Sequence, residues 1–294
     1  MKKPVFTGSG VALVTPFTRD GIDYKKLAAL CEFHIEHQTD AIVVAGTTGE
    51  ASTMPDDEHI SSIRCAVEAV AGRIPVVAGV GSNDTGHAVR LSKMAAESGA
   101  DALLHVTPYY NKTSQDGLYR HFSIIADAVD LPIILYNIPA RTALNIDPST
   151  MQRLSRIDNI VAVKECRIDQ VAETAYLCGD NLHQYTGEDA LVLPMMSYGG
   201  RGVISVAANI VPQTMHDMVA RYLAGDTAGA ARLQIELVPL IKALFSDVNP
   251  MPIKAAMNMM GMEVGACRLP LCEMSEQGLA ALQKALGQYG LIPS

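Results

Sequence analysis

Short, continuous apolar runs recur along the chain, at residues 11–14, 41–44, 75–78, 102–106, 132–135, 160–163, 182–185 and 202–206. Each is too brief for a helix and rich in β-branched or aliphatic side chains, which predicts strands. Runs that do not alternate with polar residues imply cover on both faces, the condition of a parallel sheet. The run at 182–185 contains His183 and Gln184 and is the least apolar of the eight. Between most runs lie stretches with helical spacing and helix formers, at 24–38, 55–71, 85–98, 114–129 and 148–156. Strands alternating with helices predict βαβ units. Eight such units fit a closed (β/α)8 TIM barrel better than an open doubly wound sheet.

Beyond the eighth run the helical pattern continues through 212–224, 227–246, 252–260 and 275–286, more than one closing helix requires. The expected organisation is a barrel over 1–225 and a C-terminal helical subdomain over 226–294. No linker or low-complexity tract separates them, so the second packs on the first.

Composition narrows the class. The chain has 294 residues, 49% hydrophobic and 18% charged, which suits a globular enzyme and excludes a disordered segment. Its net charge of -8 carries no basic run, so nucleic acid is not an expected partner. Lys2 and Lys3 precede no long apolar segment, so neither a signal peptide nor a membrane partner is expected, and the expected location is cytoplasmic. Six cysteines show no ligand spacing and read as free buried thiols.

Barrel chemistry sits at the C-terminal ends of the strands. There the chain places Gly46-Thr47-Thr48-Gly49-Glu50, Thr107-Pro108-Tyr109-Tyr110-Asn111-Lys112, Tyr136-Asn137-Ile138-Pro139-Ala140-Arg141-Thr142, Lys164-Glu165, Thr186-Gly187-Glu188-Asp189 and Ser205. Lys164 ends the apolar run 160–163. A desolvated amine loses preference for the ammonium form and becomes a nucleophile toward carbonyls, the chemistry of a Schiff-base lysine. Tyrosine and threonine hydroxyls could carry protons for water loss, and Arg141 could hold a carboxylate.

Other signals carry less. Gly79 and Gly81 begin a dinucleotide fingerprint, but Asp84 stands where its third glycine belongs. His34 and His37 are one helical turn apart and read as a solvated face. The methionines at 257, 259, 260 and 262 read as core filling.

The strand-end motifs, with Val163-Lys164-Glu165, Gly202-Val203-Ile204-Ser205-Val206 and Asn249-Pro250-Met251-Pro252-Ile253-Lys254, resemble the dihydrodipicolinate synthase family over essentially the whole chain. The family belongs to the pyruvate-dependent class I aldolases. The nearest alternative is a relative that cleaves a sugar acid, such as an N-acetylneuraminate lyase; Arg141 and the doubled Tyr109-Tyr110 speak against it.

The resemblance implies a lyase of lysine biosynthesis, a homotetramer built as a dimer of dimers, condensing pyruvate with L-aspartate-4-semialdehyde. No cofactor and no metal is implied. Lys164 would form the imine, with Tyr136, Thr47 and a neighbouring subunit's Tyr110 carrying protons. Thr48 and the backbone at Ile204 would hold pyruvate, and Arg141 the semialdehyde carboxylate. In lysine-inhibited relatives an effector site has counterparts of His59, Asn83 and Tyr109, and a glutamate where this chain has His87, so weak inhibition by lysine is expected. Two departures from the family pattern stand at Cys166, usually alanine, and at 186–189, usually Ser-Gly-Asp-Asp.

Overall fold

The computed structural model describes residues 2–293. Strands β1 (Gly8–Ala12), β2 (Ala41–Val44), β3 (Val76–Gly79), β4 (Ala102–Val106), β5 (Ile133–Asn137), β6 (Ile160–Glu165), β7 (His183–Thr186) and β8 (Gly202–Ser205) pair in parallel in chain order. β8 returns to β1 and closes the (β/α)8 barrel that the apolar pattern predicts. The largest shift from expectation is at β1, which lies earlier than 11–14. Gly8 pairs with Gly202 there, and a Cβ on Gly202 would meet the Gly8 carbonyl oxygen at 1.8 Å. Glycines that let two strands approach leave no hydrophobic signal to read.

Eight helices follow the strands: α1 (Tyr24–Glu36), α2 (Asp56–Val70), α3 (Thr85–Glu97), α4 (Gln115–Asp127), α5 (Pro148–Leu154), α6 (Val171–Cys178), α7 (Val192–Ser197) and α8 (Pro212–Leu223). Asp23, Asp84 and Ser114 cap α1, α3 and α4 with their side chains, each accepting from a backbone N–H of the first turn. Asp84, the residue that breaks the dinucleotide fingerprint, is thus a helix cap. Gly79 and Gly81 serve close packing instead: added Cβ atoms would stand 2.4 Å from the Ala45 oxygen and 2.5 Å from the Val106 nitrogen.

Alternation along the strands separates two cores. Ala12, Ala41, Val43, Val77, Ala102, Leu104, Ile134, Tyr136, Ala162 and Ile204 fill the barrel interior. Val11, Ile42, Val44, Val76, Leu103, Ile133, Leu135, Val163 and Val203 pack outward against the helices. Tyr136 and Lys164 are partners in the register of β5 and β6, so both project from the interior face, one rung apart across the ladder. The opposite end is closed by Phe6 stacked on Tyr185 at 4.4 Å and by Lys2, whose amine donates to the carbonyls of Ser155, Ile157 and Ile160.

The stretch 227–246, expected as one helix, is two: α9 (Thr227–Glu236) and α10 (Val238–Leu244). Pro239 lies in the first turn of α10, where it lacks the N–H a continuous helix needs. Helices α11 (Met251–Met259) and α12 (Glu276–Gln288) complete the chain. His34 is not on a solvated face: it is fully buried, 3.0 Å from the Thr39 hydroxyl, and burial pushes its pKa down to about 3. All six cysteines are free, but only Cys31 and Cys178 are buried and Cys272 is exposed. Their small polarisable side chains suit the helix-packing layer that apolar pattern alone does not distinguish from the rim. Among the described residues no helix is long and apolar enough to cross a membrane.

Candidate active site

Lys164 is the last interior-facing residue of β6 and is 6% exposed. Within the described residues its Nζ has no hydrogen-bond partner and lies 4.3 Å from the centroid of the Tyr136 ring. Burial lowers its pKa below the usual lysine range, opposed by the neighbouring Cys166, Asp189 and Glu188. Such an amine is free to attack. Gly187 supplies the space: a Cβ there would stand 2.9 Å from the lysine Cε and 2.4 Å from the Cys166 sulfur.

Burial raises the pKa of the Tyr136 hydroxyl above the ordinary phenol range, while Arg141 and the Thr47 hydroxyl beside it pull the other way. It therefore keeps its proton at neutral pH. Thr47 follows β2 in a turn bounded by two non-glycine residues of left-handed backbone, Ala45 with φ 54° and Glu50 with φ 57°. Such conformations cost roughly 1 kcal/mol or more each and persist where surrounding bonds over-determine them.

Those bonds come from the C-terminal part of the chain, residues 249–268. The Glu50 carboxylate accepts from Lys254 Nζ on α11 at 2.9 Å and from the Arg268 backbone N–H at 2.8 Å. The Lys254 ammonium also donates to the carbonyls of Thr15 and Ala266. Asn249 donates to the Thr48 hydroxyl at 3.0 Å, which buries Thr48, and its carbonyl accepts from Arg141 at 3.1 Å. None of these links was evident from the sequence, where Glu50 and Lys254 appear only as ends of separate motifs.

A second network ties β5 to β6. The Asn137 amide donates to both Glu165 carboxylate oxygens, at 2.9 and 3.1 Å, and Gln170 donates to the same carboxylate. Burial pushes Glu165 up to about 7 against those bonds. It faces outward from Lys164 and orients the strand end that carries the amine.

Tyr136, Thr47 and Arg141 line a pocket of about 500 Å³ together with Asn249, Pro270 and Leu271. The same pocket reaches His59, His87, Asp56 and Tyr109. His59 donates to the Gly79 carbonyl at 2.7 Å, and His87 lies 2.9 Å from the Asp56 carboxylate. Asn83 donates to the Tyr109 carbonyl at 3.2 Å. Ile204 is fully buried on β8, opposite Gly10. Lys164, Thr48, Ile204 and Asn83 do not line that pocket, and Tyr110 stands apart from it as well: it is 94% exposed, with φ 67°. Among the described residues no group of three or more His, Cys, Asp and Glu side chains is arranged to hold a metal ion.

Sequence comparison meets the same geometry. A sequence model of the Dihydrodipicolinate synthetase family matches residues 5–289. The chain belongs to the dihydrodipicolinate synthetase family. Membership makes it a lyase of the class I aldolase type. Among relatives, the 4-hydroxy-tetrahydrodipicolinate synthase of Caldicellulosiruptor saccharolyticus is 58% identical, with 98% of each chain covered. That of Acetivibrio thermocellus is 55% identical over 99% of this chain and all of the relative. The crystal structure of the Aquifex aeolicus dihydrodipicolinate synthase superposes with a TM-score of 0.96 at 45% identity, covering 98% of this chain and 100% of that one. These relatives weigh against the sugar-acid alternative within the wider superfamily.

Proposed function

We propose that the chain has the activity of 4-hydroxy-tetrahydrodipicolinate synthase, joining pyruvate to L-aspartate-4-semialdehyde through an imine on Lys164. The observation that carries this reading is the buried, unpartnered amine of Lys164 over the Tyr136 ring. Lys164 Nζ attacks the keto carbon of pyruvate and forms a C–N bond. The former keto oxygen takes up protons, one from Tyr136, and leaves as water. Loss of a methyl proton from the iminium gives an enamine, whose carbon attacks the aldehyde. Thr47 passes protons to and from Tyr136, Thr48 and the Ile204 backbone hold the pyruvate portion, and no cofactor takes part. The test is borohydride reduction in the presence of pyruvate, followed by mass analysis, with the modification expected on the peptide containing Lys164.

Within the same reading the protein is a cytoplasmic homotetramer in which Tyr110 completes a neighbour's proton relay. Its exposure and left-handed backbone suit a side chain presented outward. Residues 1–225 carry the chemistry and 226–294 support it, through Asn249 on Thr48 and Lys254 on Glu50.

Arg141 is exposed at the pocket and spends one bond on the Asn249 carbonyl, leaving its other donors for a substrate carboxylate. Arg141→Ala should cost about 1.5–3 kcal/mol, or about 10- to 100-fold, in kcat/KM for the semialdehyde. Pyruvate imine formation should be unaffected. Equal loss in both half-reactions would assign Arg141 a structural role.

Inhibition by L-lysine should be weak. His87 replaces a carboxylate acceptor, which removes a charge-assisted bond of about 1.5–3 kcal/mol, or one to two decades of affinity. The Asp56 carboxylate is already engaged by the His87 ring, and the Asp84 carboxylate by the His87 backbone N–H. A steady-state lysine titration near neutral pH decides the matter, and strong inhibition at sub-millimolar lysine would contradict it.

A further inference from the structure

We propose that Cys267 and Cys272 form a redox-modification site, at which a peroxide closes a disulfide that displaces one wall of the active-site pocket. Both lie in the segment between α11 and α12. The Leu271 backbone N–H donates to the Arg268 carbonyl at 3.1 Å and closes a turn over residues 268–271, so the chain doubles back on itself. Cys267 is the residue before that turn and Cys272 the residue after it. Both line one cavity of about 170 Å³, together with Lys254, Met251 and Met274. A disulfide needs Cα atoms about 4.4–6.8 Å apart, a separation that residues directly flanking a closed turn and facing one cavity can reach without unfolding it.

Exposure sets the order of the chemistry. Cys272 is the exposed thiol of the six, and Cys267 is half-buried. The Cys272 sulfur attacks one oxygen of the peroxide, the O–O bond breaks, and a sulfenic acid forms as water leaves. The Cys267 sulfur then attacks the Cys272 sulfur; the S–S bond forms, the S–O bond breaks and a second water leaves. Two thiols thereby lose two electrons and two protons, and one hydrogen peroxide becomes two waters. Cys267 does not react first, because burial and the Glu50 carboxylate beside it push its pKa up to about 11. Burial also raises the pKa of Cys31, Cys65, Cys166 and Cys178, which holds those thiols protonated.

The turn between the two cysteines faces the active site. Pro270 and Leu271 line the pocket shared with Tyr136 and Arg141. The Arg268 backbone N–H donates to the Glu50 carboxylate at 2.8 Å, and its guanidinium donates to Glu58 at 2.8 Å and to the Thr53 carbonyl at 3.2 Å. Those bonds hold the reduced turn against the loop that bears Thr47 and Thr48. Closing the disulfide moves Leu271 with its neighbour Cys272 and draws Cys267 away from Glu50, so pocket wall and loop shift together. The covalent step stands apart from the imine reading; only its effect on turnover rests on that reading.

The test compares full-length wild type with Cys272→Ser, each kept reduced or treated with millimolar hydrogen peroxide, then blocked with iodoacetamide. Trypsin cuts after Arg268, so the two cysteines fall in different peptides, 255–268 and 269–284. Peroxide-treated wild type should yield these two peptides as one disulfide-linked species. Its kcat/KM for condensation should fall about tenfold, the scale of a small displacement at a pocket wall, and should return with dithiothreitol. Cys272→Ser should match reduced wild type and keep its activity under peroxide. The inference is overturned if no linked species forms, or if it forms without loss of activity. Loss of the same size in Cys272→Ser overturns it equally, because the damage would then lie at another residue. Reduced wild type without condensation activity would instead overturn the proposed function, and the linked peptides would still report on this site.

Discussion

Lys164→Arg should fold into the same barrel and lose turnover by about 10⁴-fold or more, the scale on which removal of a covalent nucleophile is felt. The guanidinium keeps its positive charge but cannot surrender its proton under any working condition, so it cannot become an imine. Lysine at this position is different because burial lowers its pKa, so free amine is available at lower pH than an exposed lysine allows. The substitution thus keeps a long basic side chain, holds it permanently charged and removes the nucleophile. Circular dichroism and thermal unfolding should show a folded protein, with some loss of stability because the α-carbon of Gly187 leaves little width beside the side chain. Incubation with pyruvate and borohydride should give no covalent label. Stoichiometric labelling of the variant would place the nucleophile elsewhere and remove the basis of the proposed mechanism.

Much of this arrangement can be read from the chain because a parallel barrel makes unusually local demands. Each strand must be apolar on both faces, and each active residue must follow an apolar run, so Lys164 and Tyr136 announce themselves by position. Their neighbourhood in space then follows from register alone. Glycine-mediated contacts are illegible by the same logic, which is why β1 starts at Gly8 and not at Val11. His34 shows a different limit. A polar side chain at helical spacing reads as solvated, yet the hydroxyl of Thr39 and the packing of α1 bury it. The bonds that hold the site are the least legible of all. Asn249 reaches Thr48 across 201 positions and Lys254 reaches Glu50 across 204, and no local periodicity encodes either contact.

That last pair carries the largest stability effect expected here. The carboxylate of Glu50 and the ammonium of Lys254 are 1% and 2% exposed, and all three ammonium protons are used, on Glu50, Thr15 and Ala266. Burial lowers the pKa of Lys254 while the carboxylate raises it again. Lys254→Met keeps length and apolar volume but strands a buried carboxylate, which should cost about 3–5 kcal/mol. The double variant Glu50→Gln with Lys254→Met removes both charges and should recover a substantial part of that loss, because an uncompensated ion is worse than no ion pair. Activity should behave otherwise. Glu50 sits in a left-handed conformation that ends the turn bearing Thr47 and Thr48, so removing its anchor lets that turn relax away from Tyr136. Both variants should therefore turn over more slowly than wild type even where the double variant is the more stable of the two. Denaturant unfolding of wild type, both single variants and the double variant, with kcat measured on the same preparations, separates the two effects. A single variant within about 1 kcal/mol of wild type would mean that the ion pair is ordinary surface electrostatics in spite of its burial.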